Sequence, residues 1–84
     1  GRRFGGEATL GLSFAMLASG SRRIVSALWP VADAAAAEIM QRLYGELGNG
    51  RSAAQALRMA QLRLLDGKRW SDPRHWAAYQ LIGE

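Results

Sequence analysis

Two helical periodicities lie between two short apolar runs, and the number of helices in that gap limits how the runs can pair. The runs are Ile24-Val25-Ser26-Ala27-Leu28-Trp29 and Ala77-Ala78-Tyr79-Gln80-Leu81-Ile82. Each has strand length, and the first opens on two β-branched residues, the pattern of a central strand covered on both faces. Pro30 ends it, because a proline has no N–H to give the ladder. One crossover helix returns a chain for a parallel neighbour, whereas two antiparallel helices reverse it once more. If the two runs share a sheet, they should be antiparallel.

The first intervening helix is expected to start at Asp33, whose carboxylate suits an N-cap, and to carry the stripe Ala36, Ile39 or Met40, Leu43 and Leu47. Gly48-Asn49-Gly50 closes it. Ser52 with Gln55 has capping-box spacing and opens the next helix, with Ala53, Leu57, Ala60 and Leu64 on its apolar side and Gly67 as its stop. Asp72-Pro73 reads as a turn or a short helical start. Upstream, the three glycines of Gly1 to Gly6 suit a loop, and Leu10, Phe14 and Leu17 keep helical spacing across Glu7 to Ser19. Leu12 and Met16 fall on another side, so that segment is expected to be a helix buried on several sides. The order is helix, strand, helix, helix, strand. Two strands and three helices do not complete a doubly wound layer, so the expected architecture is the edge part of a larger α/β sandwich, a single domain or a portion of one.

Composition excludes more than it assigns. At 84 residues, a chain that is 49% hydrophobic and only 21% charged has apolar surface to spare for a partner. Cysteine is absent, which rules out disulfides, thiolate zinc sites and a cysteine nucleophile within these residues, and fits a reducing, cytoplasmic setting. The net charge of +4 comes from basic residues spread from Arg2 to Arg74 without one dense block, so no nucleic-acid partner is expected. Arg2-Arg3-Phe4 ahead of the apolar stretch Ala8 to Ala18 superficially resembles a twin-arginine signal. Glu7 interrupts it, and the stretch falls short of the ~20 apolar residues of a membrane span, so neither export nor a membrane partner is expected.

His75 is the sole histidine, no metal-ligand spacing occurs, and no Walker loop, dinucleotide fingerprint or nucleophile elbow is present; no cofactor is expected. Ser71, Asp72 and His75 supply triad residue types within five positions, whereas a triad converges from separate elements, so His75 is read as a packing or hydrogen-bonding residue. Gly48-Asn49-Gly50-Arg51-Ser52 sits at a helix N-terminus, which favours anions, but a turn between two helices needs no ligand. The best candidate site is Trp29-Pro30-Val31 with Asp33, because ligands of open α/β sheets bind beyond the carboxyl ends of strands. The alternative is that Trp29 packs under the helix and Asp33 only caps it.

Gly6-Glu7 leading into Leu10-Gly11-Leu12, then Ala15-Met16-Leu17-Ala18-Ser19-Gly20, then Ile24-Val25-Ser26-Ala27-Leu28-Trp29-Pro30-Val31 resembles the CHAT domain. The likeness continues through Asp33 to Met40, Ser52 to Gln61, and Asp72-Pro73 with Trp76-Ala77-Ala78-Tyr79-Gln80-Leu81-Ile82-Gly83, covering essentially all 84 residues as the C-terminal portion of that domain. The resemblance implies a caspase-like α/β/α sandwich whose last strand runs antiparallel, and cysteine peptidase chemistry by a His-Cys dyad. It places both dyad members N-terminal to this region, so no catalytic residue is carried over, and His75 does not match the catalytic histidine. Gly5, Gly6 and Glu7 would follow the nucleophile loop, and Trp29, Val31, Asp33 and Glu7 would line or brace a substrate cleft. The family often has acidic residues matching both Ala32 and Asp33 and a Thr matching Ala36, and this chain departs at Ala32 and Ala36. The implied partners are the N-terminal half of the same domain, a peptide or protein substrate, and a tetratricopeptide-repeat region. A non-catalytic pseudopeptidase module that binds other proteins is the competing reading.

Overall fold

A computed structural model describes residues 13–18 and 21–82. Its elements are β1 (Ser13–Ala18), β2 (Ser21–Ala27), α1 (Asp33–Gly48), α2 (Ala53–Asp66), a single helical turn α3 (Pro73–Trp76) and β3 (Tyr79–Ile82). β2 is the middle strand, with β1 and β3 on either side, both antiparallel to it. The protein is therefore mixed α/β with a three-stranded antiparallel sheet. The connection between β2 and β3, two long helices and the single turn α3, ends in the antiparallel pairing expected for two reversing helices, with Ala27 opposite Tyr79 and Val25 opposite Leu81.

The helix expected over Glu7 to Ser19 is corrected: Ser13 to Ala18 form a strand, and Glu7 to Leu12 lie outside the described residues. A continuous apolar run of five residues, Phe14 to Ala18, before a Ser-Gly step satisfies both periods, and pairing decides between them. Ser13 meets Ser26, their hydroxyls 3.2 Å apart, and Met16 points to the same side as Val25 and is buried there. The first apolar run is also shifted: β2 begins at Ser21 and ends at Ala27, two residues before Trp29, and β3 begins at Tyr79. Beyond the ladder, the Leu28 N–H still donates to the Ala78 carbonyl at 2.7 Å.

Both helices lie on one side of the sheet. Ile39 and Leu43 of α1, Ala56, Leu57, Ala60 and Leu64 of α2, and Met16, Val25, Ala27 and Tyr79 of the strands close into one core. Alanines at the α1–α2 contact let the two backbones approach, and Ile39, Leu43 and Val25 are the largest side chains fully removed from water. α2 starts as its sequence demands: the Gln55 N–H donates to Ser52 Oγ at 3.1 Å, and the Ser52 N–H donates to Gln55 Oε1 at 3.0 Å. The opposite sheet face carries the rows Ser13–Ser26–Gln80 and Ala15–Ile24–Ile82, and no described element covers it. The expectation of a doubly covered strand is thus met on one face only, with Ile24 38% and Ile82 46% exposed.

Candidate functional site

The chain leaves β2 through Leu28, Trp29 and Pro30, all exposed, and turns into α1. Trp29 is fixed across the molecule: its indole Nε1 donates to the Arg74 carbonyl of α3 at 3.0 Å, leaving 39% of the residue open. A bound indole N–H with a wet ring is the usual compromise for a residue that is both anchor and contact surface. Val31 is partly buried and packs against the core, which fixes the entry into α1. Trp29 and Val31 thus share one strand-to-helix turn at the carboxyl end of β2.

Asp33 lies in the same turn, but not as a cap. The N-cap position belongs to Ala32, with no side-chain hydrogen bond, and Asp33 is the first helical residue, exposed. Its carboxylate is favoured there by the partial positive charge of the helix start. The reason for the shift is that the Ala32 carbonyl already accepts the first helical bond, from Ala36 N–H at 2.9 Å. Glu7, the remaining candidate of the cleft, lies outside the described residues, as do Gly5 and Gly6.

α3 and its approach hold the other candidate residues in structural roles. Asp72 caps the turn by accepting the Arg74 N–H at 2.9 Å, which is the foremost reason its carboxyl sits below the usual carboxylate range. The Ser71 carbonyl accepts from Trp76 Nε1 at 2.8 Å, and the Trp76 carbonyl accepts from Gln61 Nε2 at 2.8 Å. His75 sets its ring edge-on to Trp70, centroids 5.0 Å apart at 73°, with a buried Nδ1 that has no partner among the described residues. Ser71, Asp72 and His75 therefore build a turn rather than a relay. The turn after α1 is equally self-contained: Asn49 N–H bonds back to Gly45 and Glu46 carbonyls, Gly50 N–H to Leu47 and Arg51 N–H to Glu46. Gly50 takes φ +89°, which only glycine adopts freely. Those amides are spent on the helix end and cradle nothing.

Two features escaped the sequence pattern. The Tyr79 hydroxyl is buried without a hydrogen-bond partner among the described residues, and burial pushes its pKa up to about 12. Arg42 of α1 comes against Arg63, Lys68 and Arg69 around a cleft of about 240 Å³. Charges dispersed along the chain are collected there by antiparallel helix packing, and the sequence clue was Lys68-Arg69-Trp70 one turn beyond Arg63. Among the described residues no helix is long and apolar enough to cross a membrane, and no group of three metal-ligating side chains occurs.

The CHAT domain family model matches residues 1–84. Human tetratricopeptide repeat protein 28 is 35% identical over 77 residues, covering 92% of this chain and 3% of that protein, and the mouse protein of the same name matches equally. The chain therefore spans about 3% of the length of these curated relatives. No solved structure matches. With the family model matching from its first residue to its last, the chain belongs to the CHAT domain family.

Proposed function

We propose that this chain is the C-terminal segment of a caspase-like cysteine peptidase domain, in which it supplies strands at the sheet edge and one wall of the substrate cleft. The observation that carries the reading is the uncovered sheet face. Ile24, Ile82 and, one residue past β2, Leu28 at 59% exposure present apolar surface beside the turn that displays Trp29. Such a face is expensive to leave in water, about 25 cal/mol for each Å² of apolar area, and the N-terminal half of the same domain is its proposed cover. In that assembly Trp29, Val31, Asp33 and Glu7 contact or brace the peptide substrate. The nucleophilic thiolate and its histidine come from outside these 84 residues, since the chain has no cysteine. The tetratricopeptide-repeat name of the relatives supports a repeat region as a neighbouring module.

The test is peptide hydrolysis by the protein that carries this chain, measured with and without a thiol-alkylating reagent, beside the isolated 84 residues. The reading expects alkylation-sensitive cleavage by the former and none by the latter, and Trp29→Ala should raise KM more than it lowers kcat. Hydrolysis by the isolated chain, or cleavage by the larger protein that ignores alkylation, overturns it. The same apolar face also favours a non-catalytic module that binds other proteins; a larger protein that cleaves no peptide yet retains a partner through Ile24 and Ile82 would establish that second reading.

A further inference from the structure

The seam between α1 and α2 holds two adjoining hollows, one of about 240 Å³ and one of about 420 Å³, which share Glu38, Arg42 and Arg63 in their walls. They form a continuous open trough with unequal ends. The smaller end gathers Arg42, Arg63, Lys68 and Arg69 against a single carboxylate, Glu38. Beyond those shared residues, the larger end is lined by the amides Gln41 and Asn49, by Gly45 and by Glu46.

The basic end is partly organised in advance. The Arg69 guanidinium lies 4.7 Å above the Trp70 ring centroid, and Trp70 is itself held by the His75 edge, so the cation is directed by a cation–π contact. Arg42 is steadied by Glu38 Oε2, 2.8 Å from its Nε. Arg63 and Lys68 form no ion pair among the described residues. Four neighbouring cations repel one another and gain from a shared anion, and guanidinium forks suit the paired oxygens of a carboxylate or a phosphoryl group. The far end selects against a polyanion. A nucleic-acid backbone repeats its charge at regular intervals and would run from the cations onto Glu46, whose carboxyl is held ionised below its usual range chiefly by the hydrogen bond from Arg51.

We propose that this trough binds a peptide segment with one concentrated acidic cluster followed by neutral polar residues, the cluster among Arg63, Lys68 and Arg69 and the neutral part along Gln41 and Asn49. None of Trp29, Val31 or Asp33 lines it, so it is a docking surface separate from the proposed substrate wall. An acidic cluster arises either from consecutive Asp and Glu residues or from a phosphorylated serine.

The experiment is fluorescence anisotropy of the full chain with four labelled probes: a peptide bearing three consecutive Glu, the same peptide with phosphoserine in their place, its Gln counterpart, and a single-stranded oligothymidylate. The proposal expects saturable binding of at least one acidic peptide, weakened by added salt, and loss of roughly tenfold in affinity in the Arg63→Gln/Lys68→Gln double variant. Arg58→Gln removes an exposed charge of α2 outside the trough and should leave binding unchanged. Tighter binding of the phosphoserine peptide identifies phosphorylation as the source of charge, and tighter binding of the Glu peptide identifies an acidic run. Equal loss in Arg58→Gln, equal binding of the Gln peptide, preference for the oligonucleotide, or no binding of either acidic peptide overturns the proposal. Both altered residues are exposed, and circular dichroism verifies that the double variant keeps its helices.

Discussion

The two faces of the sheet are made from the same three strands and have opposite fates. On the inner face Val25, Ala27, Met16 and Tyr79 meet both helices and are nearly dry; on the outer face Ala15, Ile24, Gln80 and Ile82 meet nothing that is described. Adjacent residues such as Ile24 and Val25, alike in chemistry, therefore contribute differently to stability. What separates them is the strand period of two, which sends every neighbour to the other side.

The largest test of that contrast lies under the inner face. Ile39→Ala should cost about 2–5 kcal/mol in urea unfolding, because it leaves a void among Val25, Leu43 and the α2 alanines. In a domain of this size that is a large share of total stability, and the variant should be partly unfolded at room temperature. Next, Ser52→Ala should cost about 1 kcal/mol through loss of the Oγ that accepts the Gln55 N–H, the backbone bond from Ser52 N–H to Gln55 Oε1 being retained, with no change in the outer face. An equal loss in the two variants would mean that the inner core is looser than it looks.

How much of this was legible in the sequence follows the same division. α1, α2 and the α3 turn were readable because Ser52, Gln55, Asp72, Pro73 and the glycines are punctuation that acts within a few residues. The antiparallel relation of β2 and β3 followed from counting helices. The Ser13–Ala18 segment was not readable, because a run of apolar residues fits either period and only Ser26, Val25 and Ile24 across the ladder settle it. Asp33 looked like a cap because its side chain is suited to capping, whereas position relative to the first helical bond decides, and that fell to Ala32. The Trp29–Val31 turn was visible as a site candidate; the trough was not, since Arg42 and Arg63 are neighbours only after α1 and α2 fold back on each other.

A finer test uses Tyr79, where the inner face carries a polar atom it does not satisfy. Tyr79→Phe removes a buried hydroxyl without breaking a described hydrogen bond, and should be neutral or stabilising by up to about 1 kcal/mol in thermal melting near neutral pH. The pH dependence has a definite sign. The folded pKa, about 12, lies above the ordinary value of 10.0, so stability from the protonated phenol is complete below pH 10 and is lost as pH rises toward 12. Tyr79→Phe should remove that share of the alkaline loss, read from unfolding midpoints across this interval. The smallest effect belongs to the outer face: Ile24→Ser should change stability by less than about 1 kcal/mol and reduce concentration-dependent scattering of the isolated chain. A cost rivalling Ile39→Ala would show that the two faces are energetically equivalent after all.

The bond from the Trp29 indole to the Arg74 carbonyl spans 45 positions, and beside it the Leu28–Ala78 bond closes a loop that contains both long helices. In kinetic terms, closing that loop is a late and slow event for a chain of this length, because the entropy of bringing the ends together is spent before the β2–β3 ladder returns anything. The α1–α2 hairpin, made of local contacts, shortens the gap by forming first. Refolding should therefore be paced by closure of this loop onto a preformed helical hairpin, and removing the Trp29 indole should slow that closure as well as speed unfolding.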